Sequence, residues 1–179
     1  SHQQIKNSMP FLPWMIHANH GDIIFDKTFH NFQYFQELNK LEKKKQISVI
    51  CSSKIHTENH FLRVEFLKIL KSHFGSQLDW YGNGVNEIKR KYDGIFDYKY
   101  HIVLENESRN NLISEKIFDS MLGLSVPIYY GAPNINKYFN KNSLHTIDIN
   151  NANKSIEIIE DIIKNDRYEQ TLNYLIESK

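Results

Sequence analysis

The segment that decides the fold is YKYHIVLENESRNNLISEKIFDSMLGLSVPIYYGAPNINKYF, which runs from Tyr98 to Phe139. Its pattern predicts a strand over 101–104, a helix over 114–123, a strand over 126–130 and a short helix over 134–139. A strand, a helix and a second strand in this order form a βαβ unit, whose strands lie parallel. The segment therefore indicates an open parallel sheet covered by helices.

Four polar residues of this segment fall at one edge of the predicted sheet. Glu105 and Asn106 close the first strand, and Glu115 and Lys116 open the helix that follows. In open α/β folds this carboxyl edge of the sheet is where ligands bind. The segment thus indicates a binding site with two acids, one amide and one cation.

The chain from Gln46 onward continues this alternation. Strands are predicted over 47–51, 78–81 and 144–149 and helices over 58–74, 153–164 and 166–177, whereas 85–97 is irregular or holds one short helix. Apolar residues recur at helical spacing as Leu62, Phe66, Ile69 and Leu70 in the first helix and as Ile156, Ile159 and Ile163 in the second. We predict one Rossmann-like α/β domain over 46–179, with a parallel sheet flanked by helices.

The first 45 residues lack this regularity and form an amino-terminal extension. The run from Met9 to Met15 is apolar but interrupted by two prolines, which favours an extended segment. Residues 28–45 change from aromatic to strongly charged and predict a surface helix or a linker. The sequence begins Ser-His without a methionine, which suggests a remnant of cloning and, as a second interpretation, a truncation.

Composition and charge narrow the classes of function. The chain has 179 residues, 40% of them hydrophobic, and a net charge of +1, which gives no electrostatic case for a nucleic acid partner. The runs Lys43-Lys44-Lys45 and Lys89-Arg90-Lys91 are short and scattered, as is typical of a solvated face. Cys51 is the only cysteine, so a reducing compartment is favoured and a buried strand residue is expected. No stretch reaches the ~20 apolar residues that cross a bilayer, and no secretory signal is present.

Lys116 is the unusual residue of the predicted site. Ser114 is a natural N-cap, which places Lys116 in the first helical turn, where the macrodipole disfavours a cation unless an anion is near. A phosphate group at this helix end would remove the conflict. Arg63, early in the helix after the first strand, can reach the same edge, and its fork of donors suits a diphosphate. The alternative is that both cations are ordinary surface residues.

The other polar motifs allow simpler interpretations. A carboxylate at Glu105 can accept bonds from ribose or sugar hydroxyls, whereas Asn106 could instead bond its own backbone. The turn Gly131-Ala132-Pro133 offers backbone that a flat ring could approach closely. Gly82-Asn83-Gly84 lacks a third glycine and predicts a plain turn. His56, Glu58 and His60 do not have the spacing of a zinc-binding HExxH helix.

Five motifs stand in a fixed order along the chain. They are Tyr98-Lys99-Tyr100, Glu105-Asn106, Ser114-Glu115-Lys116, Val126-Pro127-Ile128 and Tyr130-Gly131-Ala132-Pro133-Asn134. Together they resemble the α1,3/4-fucosyltransferase family, glycosyltransferase family 10, over residues 46–150. Upstream, Arg63 and the stretch 79–82 match the arginine helix and a strand of that family.

The resemblance implies an inverting glycosyltransferase of the GT-B type, with two Rossmann-like domains that face a cleft. In that family the carboxyl-terminal domain holds GDP-fucose, and the amino-terminal domain supplies the acceptor site and the general base. The resemblance implies that Arg63 and Lys116 hold the diphosphate and that Glu115 binds the ribose. It also implies that Glu105 and Asn106 shape the donor pocket near the sugar.

Two features depart from the family pattern. Leu112 stands where the family usually has a tyrosine that contacts the donor near the sugar, which leaves the identity of the sugar open. The 45 residues before the first strand are too few for a second Rossmann domain, which needs ~100 residues. Either 1–45 is the remnant of an acceptor domain in a longer enzyme, or the acceptor side is built differently. We nominate no catalytic base.

The sequence thus predicts a GDP-fucose-dependent α1,3-fucosyltransferase that acts with inversion on an oligosaccharide or glycolipid acceptor of the cell surface. The alternatives are a nucleotide-sugar-binding domain without transferase activity of its own, and a Rossmann-like domain with no nucleotide ligand. No cofactor is expected beyond the donor; a divalent metal ion stays open, although the sequence identifies no site for one. We expect the protein in the cytoplasm or at the inner face of the membrane.

Overall fold

The computed structural model describes residues 32–177 together with Ile16 and His30. The extended segment predicted over 9–15 lies outside the described residues. Within the described part, five strands form one sheet, and all neighbouring strands are parallel. The strands are β1 (Lys45–Ile50), β2 (Leu78–Tyr81), β3 (Tyr98–Leu104), β4 (Val126–Tyr130) and β5 (His145–Thr146). The predicted α/β fold with a parallel sheet flanked by helices is confirmed.

Helices cover both faces of the sheet, and some of them connect consecutive strands. They are α1 (Phe32–Glu37), α2 (Glu58–Phe74), α3 (Glu115–Leu122), α4 (Ala152–Lys164) and α5 (Tyr168–Glu177). Tyr100 of β3 packs on Tyr168 of α5, whereas the next residue, His101, faces a cavity bordered by α3. Because successive side chains of a strand point to opposite faces, α3 and α5 lie on opposite sides of the sheet. No helix in the described part of the chain is long and apolar enough to span a membrane.

The strand order places a switch point next to β1. The order is β2-β1-β3-β4-β5, so the chain leaves β1 toward one side of the sheet and later builds the other side from β3 onward. In sheets of this order the loops after β1 and β3 diverge and leave a crevice at the carboxyl edge. The four polar residues predicted for the site follow β3 and begin α3, so they lie beside this crevice.

Two predicted helix faces need correction. In α2 the buried residues are Arg63, Val64, Phe66, Leu67, Leu70 and Phe74, while the predicted Ile69 is 47% exposed. In α4 the buried residues are Ser155, Ile159 and Ile162, while Ile156 and Ile163 are only half-buried at the sides. In both helices the buried residues follow the 3.6-residue helical period. The centre of the buried face, however, differs from the one that the apolar residues alone predict.

Several element boundaries also differ from the prediction. β3 begins at Tyr98, three residues early, because Tyr98 pairs with Lys45 at the start of β1. β5 is only two residues long, since its register with β4 is limited to the pairs Ile128 with His145 and Tyr129 with Thr146. The helix predicted over 134–139 is a 3₁₀ turn at Ile135–Lys137, and the region 85–97 contains a 3₁₀ turn at Lys91–Gly94.

Residues before the predicted domain boundary are tied to the domain. Phe35 of α1 forms a small second core with Ile16 and Phe96. The ammonium of Lys43 donates to the carbonyl oxygens of Phe96 and Gly123 at 2.8 and 2.6 Å. The prediction that the run 43–45 is a solvated face is therefore wrong for Lys43, whose side chain turns inward.

Candidate functional site

Arg63 crosses from α2 to the end of β3. It is 8% exposed, and its Nη1 donates to the carbonyl oxygen of Leu104 at 3.2 Å and to Oδ1 of Asn106 at 2.9 Å. These acceptors are neutral, and Arg63 forms no ion pair with any carboxylate in the described part of the chain. Its buried Nε also has no hydrogen-bond partner among those residues. The structure thus holds a buried guanidinium charge that no described residue neutralises.

Asn106 orients this arginine. Its side-chain oxygen accepts from Arg63, so the amide points to α2 and does not bond its own backbone through that oxygen. Asn106 is the second residue after β3, which places it at the switch point. The sequence left open whether Asn106 is a site residue or bonds its own backbone, and the structure shows that its side-chain oxygen bonds Arg63.

Glu105 supplies the anion that the position of Lys116 requires. Ser114 is the predicted N-cap of α3, and its Oγ accepts from the backbone N–H of Lys116 at 3.4 Å. The Nζ of Lys116 lies 3.0 Å from Ser114 Oγ and 3.3 Å from Glu105 Oε2. Glu105 is 2% exposed and also accepts from Ser114, with N–H to Oε1 at 3.0 Å and Oγ–H to Oε2 at 2.7 Å. The two acceptor oxygens of Glu105 are therefore occupied by the first turn of α3.

The absence of a side chain at Gly131 leaves room for the side chains of Glu105 and Tyr129. A Cβ atom at position 131 would lie 2.3 Å from the hydroxyl oxygen of Tyr129 and 2.6 Å from Cγ of Glu105. The Tyr129 hydroxyl in turn accepts from the N–H of Ala132 at 2.9 Å. The sequence suggested that a flat ring could approach this backbone; the groups that approach it in the structure are the side chains of Tyr129 and Glu105.

Cys51 connects the two cations of the site. It follows β1 directly, is 8% exposed, and its carbonyl oxygen accepts from Trp80 Nε1 at 2.7 Å. Burial raises the pKa of the Cys51 thiol, while the positive charges of Arg63 and Lys116 both oppose that rise. Arg63 bonds to Leu104 and Asn106, the two residues that flank Glu105, and Glu105 holds Lys116, so the two cations lie at the same edge of the sheet. Cys51 is buried, as expected, but it follows β1 and is not a strand residue.

Glu115 belongs to a second ion-pair network on α3. Its Oε1 lies 3.3 Å from Lys91 Nζ and 3.8 Å from Lys116 Nζ. Burial alone would raise the pKa of Glu115, but these two ammonium groups outweigh burial and hold it below its ordinary value. Lys91 also pairs with Asp119 at 2.9 Å. The prediction that the run 89–91 is a solvated face is wrong for Lys91, which the tertiary structure turns toward α3.

A cavity of about 100 Å³ lies under the first turn of α3. Apolar and charged residues both line it, and they include Ile50, Ile95, Val103, Glu115, Lys116 and Asp119. His101 borders it and contacts Ser48 through Nδ1 at 2.7 Å. Because the Ser48 hydroxyl donates to the carbonyl of Gly94, His101 Nδ1 must carry the proton that it donates to Ser48. Burial, with Lys91 and Lys43 nearby, lowers the pKa of His101 to about 3.

The loop that carries Leu112 is fastened to the turn after β4. Asn111 adopts a left-handed conformation with φ of 65°. Its side-chain oxygen accepts from Asn134 Nδ2 at 2.6 Å and from the Tyr138 hydroxyl at 2.7 Å. Leu112 is half-buried beside this contact. The side chain that replaces the usual tyrosine of the family pattern thus sits on an ordered loop.

The weaker motifs have structural explanations. Gly82 has φ of 146°, and a Cβ there would lie 2.3 Å from the carbonyl oxygen of Cys51, so the glycine is needed for a tight turn against β1. His56 and His60 have ring centroids 6.1 Å apart, in an edge-on contact. In the part of the chain that the structure describes, no group of three or more His, Cys, Asp or Glu residues could hold a metal ion.

Comparisons with known proteins agree on one family. The family model for glycosyltransferase family 10 (fucosyltransferase), C-terminal region, matches residues 41–174. The alpha-(1,3)-fucosyltransferase FucT of Helicobacter pylori is 32% identical over 73 residues, which are 40% of this chain and 15% of that protein.

Solved structures of an alpha1,3-fucosyltransferase have the same fold. The crystal structure with GDP-fucose matches with a TM-score of 0.62 and 26% identity, over 73% of this chain and 38% of that one. The crystal structure with GDP matches with a TM-score of 0.60 and 27% identity, over the same shares. The chain therefore spans less than half the length of the relatives that it matches. Since the family model covers most of its residues, this chain belongs to glycosyltransferase family 10, the fucosyltransferases, and carries the C-terminal region of that family.

Proposed function

We propose that this chain binds GDP-fucose at the switch point of its sheet and transfers the fucose, with inversion, to a hydroxyl group of a glycan acceptor. Membership of the fucosyltransferase family supports the transferase class. The relatives solved with GDP-fucose and with GDP support the choice of donor. The observation that carries the proposal is the buried charge of Arg63, which has no carboxylate partner in the described part of the chain.

A buried cation without a counter-ion is costly, and a bound anion removes that cost. Isolated charges in protein interiors are normally paired, because losing hydration without compensation costs several kcal/mol. Arg63 uses only Nη1 for Leu104 and Asn106. Its Nη2 and Nε donate to no described residue, and together they form the fork that matches two oxygens of a diphosphate. We therefore assign Arg63 to the diphosphate of the donor.

Lys116 is the second cation of the proposed diphosphate site. Two of its three N–H donors are used by Ser114 and Glu105, and the third makes no hydrogen bond to a described residue, although Oε1 of Glu115 lies 3.8 Å away. The buried Glu105 holds the ammonium at the helix start, where the positive end of the helix dipole also favours an anion. Glu105 and Asn106 thus shape the donor pocket by fixing Lys116 and Arg63 respectively.

Glu115 is the proposed ribose contact. Its Oε1 faces the ammonium groups of Lys91 and Lys116, and no other described residue donates to Oε2. Its lowered pKa keeps it ionised near neutral pH, so that it can accept hydrogen bonds from ribose hydroxyls. A charged acceptor makes these bonds stronger than neutral ones.

The proposed transfer is a displacement at the anomeric carbon. The acceptor oxygen forms the new glycosidic bond on the face opposite GDP, the bond to the β-phosphate oxygen breaks, and the acceptor proton leaves to a base. Negative charge then develops on the departing diphosphate. Arg63 and Lys116 lie where that charge forms, so they would stabilise the transition state more than the ground state.

Calorimetric titration with GDP, GDP-fucose, GDP-mannose and a UDP-sugar tests the donor assignment. We expect the guanine nucleotides to bind and GDP-fucose to be preferred over GDP-mannose and the UDP-sugar. Arg63→Ala and Lys116→Ala should each weaken GDP binding, while the matched control Lys68→Ala, which removes an exposed ion pair with Glu65 on the same helix as Arg63, should not. GDP binding that survives both site variants unchanged would refute the site assignment. Release of GDP in the presence of candidate oligosaccharides tests the transfer itself.

A further inference from the structure

Lys91 connects two acids of α3 through one ammonium group. Its Nζ lies 2.9 Å from Oδ2 of Asp119 and 3.3 Å from Oε1 of Glu115. The side chain of Asp119 is 1% exposed and that of Lys91 is 23% exposed. Burial alone would lower the pKa of Lys91, but the two carboxylates outweigh burial and raise it, so the group stays charged.

The bond to Glu115 is not needed to neutralise Lys91. Asp119 is closer and almost fully buried, and one carboxylate at 2.9 Å suffices to balance one ammonium. The same ammonium nevertheless also holds Glu115, one turn earlier on the helix and at the edge of the ligand crevice. Asp119 therefore anchors Lys91, and Lys91 in turn fixes the more exposed Glu115.

Without Lys91, Glu115 would keep a single cationic neighbour among the residues that the structure describes. That neighbour is Lys116, whose Nζ is 3.8 Å from the same oxygen and is already bonded to Ser114 and Glu105. The Glu115 carboxylate would then be free to turn toward solvent or to compete with Glu105 for Lys116. Either change moves Oε2, the carboxylate oxygen that we assign to the proposed ribose contact.

We infer that Lys91 is a positioning residue for the nucleoside part of the donor, which acts by holding Glu115 in the orientation that accepts the ribose hydroxyls. The inference rests on the proposed function, because it assigns Lys91 a role in the binding of GDP. It goes beyond that function, since Lys91 lies on the 3₁₀ turn Lys91–Gly94 between β2 and β3. It belongs to none of the sequence motifs that define the site.

The test compares GDP with 2′,3′-dideoxy-GDP, which keeps the base and the diphosphate but lacks both ribose hydroxyls. The unmodified chain, Lys91→Met, Glu115→Gln and the double variant are titrated with each nucleotide by calorimetry. The unmodified chain should prefer GDP by about tenfold, as expected for a hydrogen bond to a charged group. In Lys91→Met this preference should shrink to about twofold or less while the affinity for the dideoxy nucleotide stays nearly constant. Adding Lys91→Met to Glu115→Gln should not reduce the preference further.

Lys91→Gln is a second variant, which should fold even if Lys91→Met does not. Its amide can still donate to the buried Asp119, and it should lose the preference for GDP as Lys91→Met does. Equal weakening of both nucleotides would overturn the inference, because it would show a direct phosphate contact or a general structural role. A preference for GDP that persists in both variants would also overturn it. If the unmodified chain binds neither nucleotide, the proposed function itself fails.

Discussion

The Nζ atom of Lys116 lies 3.3 Å from Oε2 of Glu105, a carboxylate that is 2% exposed at the end of β3. This ion pair explains how a lysine can occupy the first turn of a helix, where the macrodipole is unfavourable to it. The same ammonium stabilises the fold through this ion pair and retains one donor for an incoming phosphate, so that folding stability and ligand binding depend on one residue.

Lys116→Met is expected to destabilise the fold. Glu105 would keep its two bonds from Ser114 but lose its only cationic partner among the described residues, and a buried charge left unpaired is costly. We expect the free energy of unfolding in urea to fall by about 1–3 kcal/mol. Lys68→Met, which removes an exposed pair with Glu65, should change it by about 0.5 kcal/mol or less. Equal effects of the two variants would contradict the structural role of Lys116.

Gly131→Ala should damage the same site through packing. The added Cβ would lie 2.3 Å from the Tyr129 hydroxyl and 2.6 Å from Glu105 Cγ, so both side chains would have to move. Overpacking of this kind costs about 1–3 kcal/mol, measured as the loss in free energy of unfolding. Adding Tyr129→Phe removes the hydroxyl oxygen, one of three clashing atoms, and leaves Cζ of the ring at 2.6 Å, so it should restore only part of that loss. No restoration would mean that the hydroxyl is not what limits position 131.

The fold should lose stability as the pH falls below neutral. The folded-state pKa of His101 is about 3, below its ordinary value near 6.5, because the buried ring is held neutral. The unfolded chain therefore binds a proton that the folded chain does not, and stability present above about pH 6.5 is lost between pH 6.5 and 3 by about 1.4 kcal/mol per unit. His145, with a pKa lowered by burial to about 4, adds to this slope.

The variant His101→Asn distinguishes the contribution of His101 to the pH dependence of stability from that of His145. Its amide can replace the Nδ1 donor to Ser48 but does not titrate, so the slope of unfolding free energy against pH between 6 and 4 should decrease. Denaturant unfolding at a series of pH values measures it. An unchanged slope would show that His101 does not carry the effect.

The Cys51 thiol should react slowly with alkylating reagents near neutral pH. Burial raises its pKa and restricts access, while Arg63 and Lys116 partly oppose the rise. GDP should slow the reaction further, because a bound diphosphate would neutralise the charges that favour the thiolate. The rate of iodoacetamide modification, followed by mass spectrometry with and without GDP, measures this. Faster modification in the presence of GDP would contradict the placement of the nucleotide beside Cys51.

The parts of the fold that sequence could predict are those fixed by local patterns. The βαβ unit around α3 followed from β-branched strands and the N-cap Ser114, since strand alternation and helix capping are encoded within a few residues. Ile69 was misplaced because an apolar residue one position away from the buried line looks the same in sequence as one on it. The length of β5 was overestimated because only its register with β4 limits it.

The sequence could predict the candidate site residues that lie at the sheet edge, but not those that contact them from elsewhere in the fold. Arg63 and Lys116 could be inferred because they follow predicted strands, and strand ends converge. Lys91 could not, since its partners Glu115 and Asp119 come 24 and 28 residues later and no local pattern marks a contact of that range. The burial of Glu105 under Ser114 likewise depends on how α3 packs on β3, which only the tertiary structure shows.

The central claim is that the unneutralised guanidinium of Arg63 receives the diphosphate of a guanine nucleotide. The most direct measurement is a nuclear magnetic resonance titration of the ¹⁵N-labelled chain with GDP that follows the Nε–H signal of Arg63, assigned by its absence in Arg63→Lys. We predict that this signal shifts in a saturable manner, together with the backbone amides of Cys51 and Lys116. A saturable titration that leaves the Arg63 signal in place, or no change at millimolar GDP, would contradict the account.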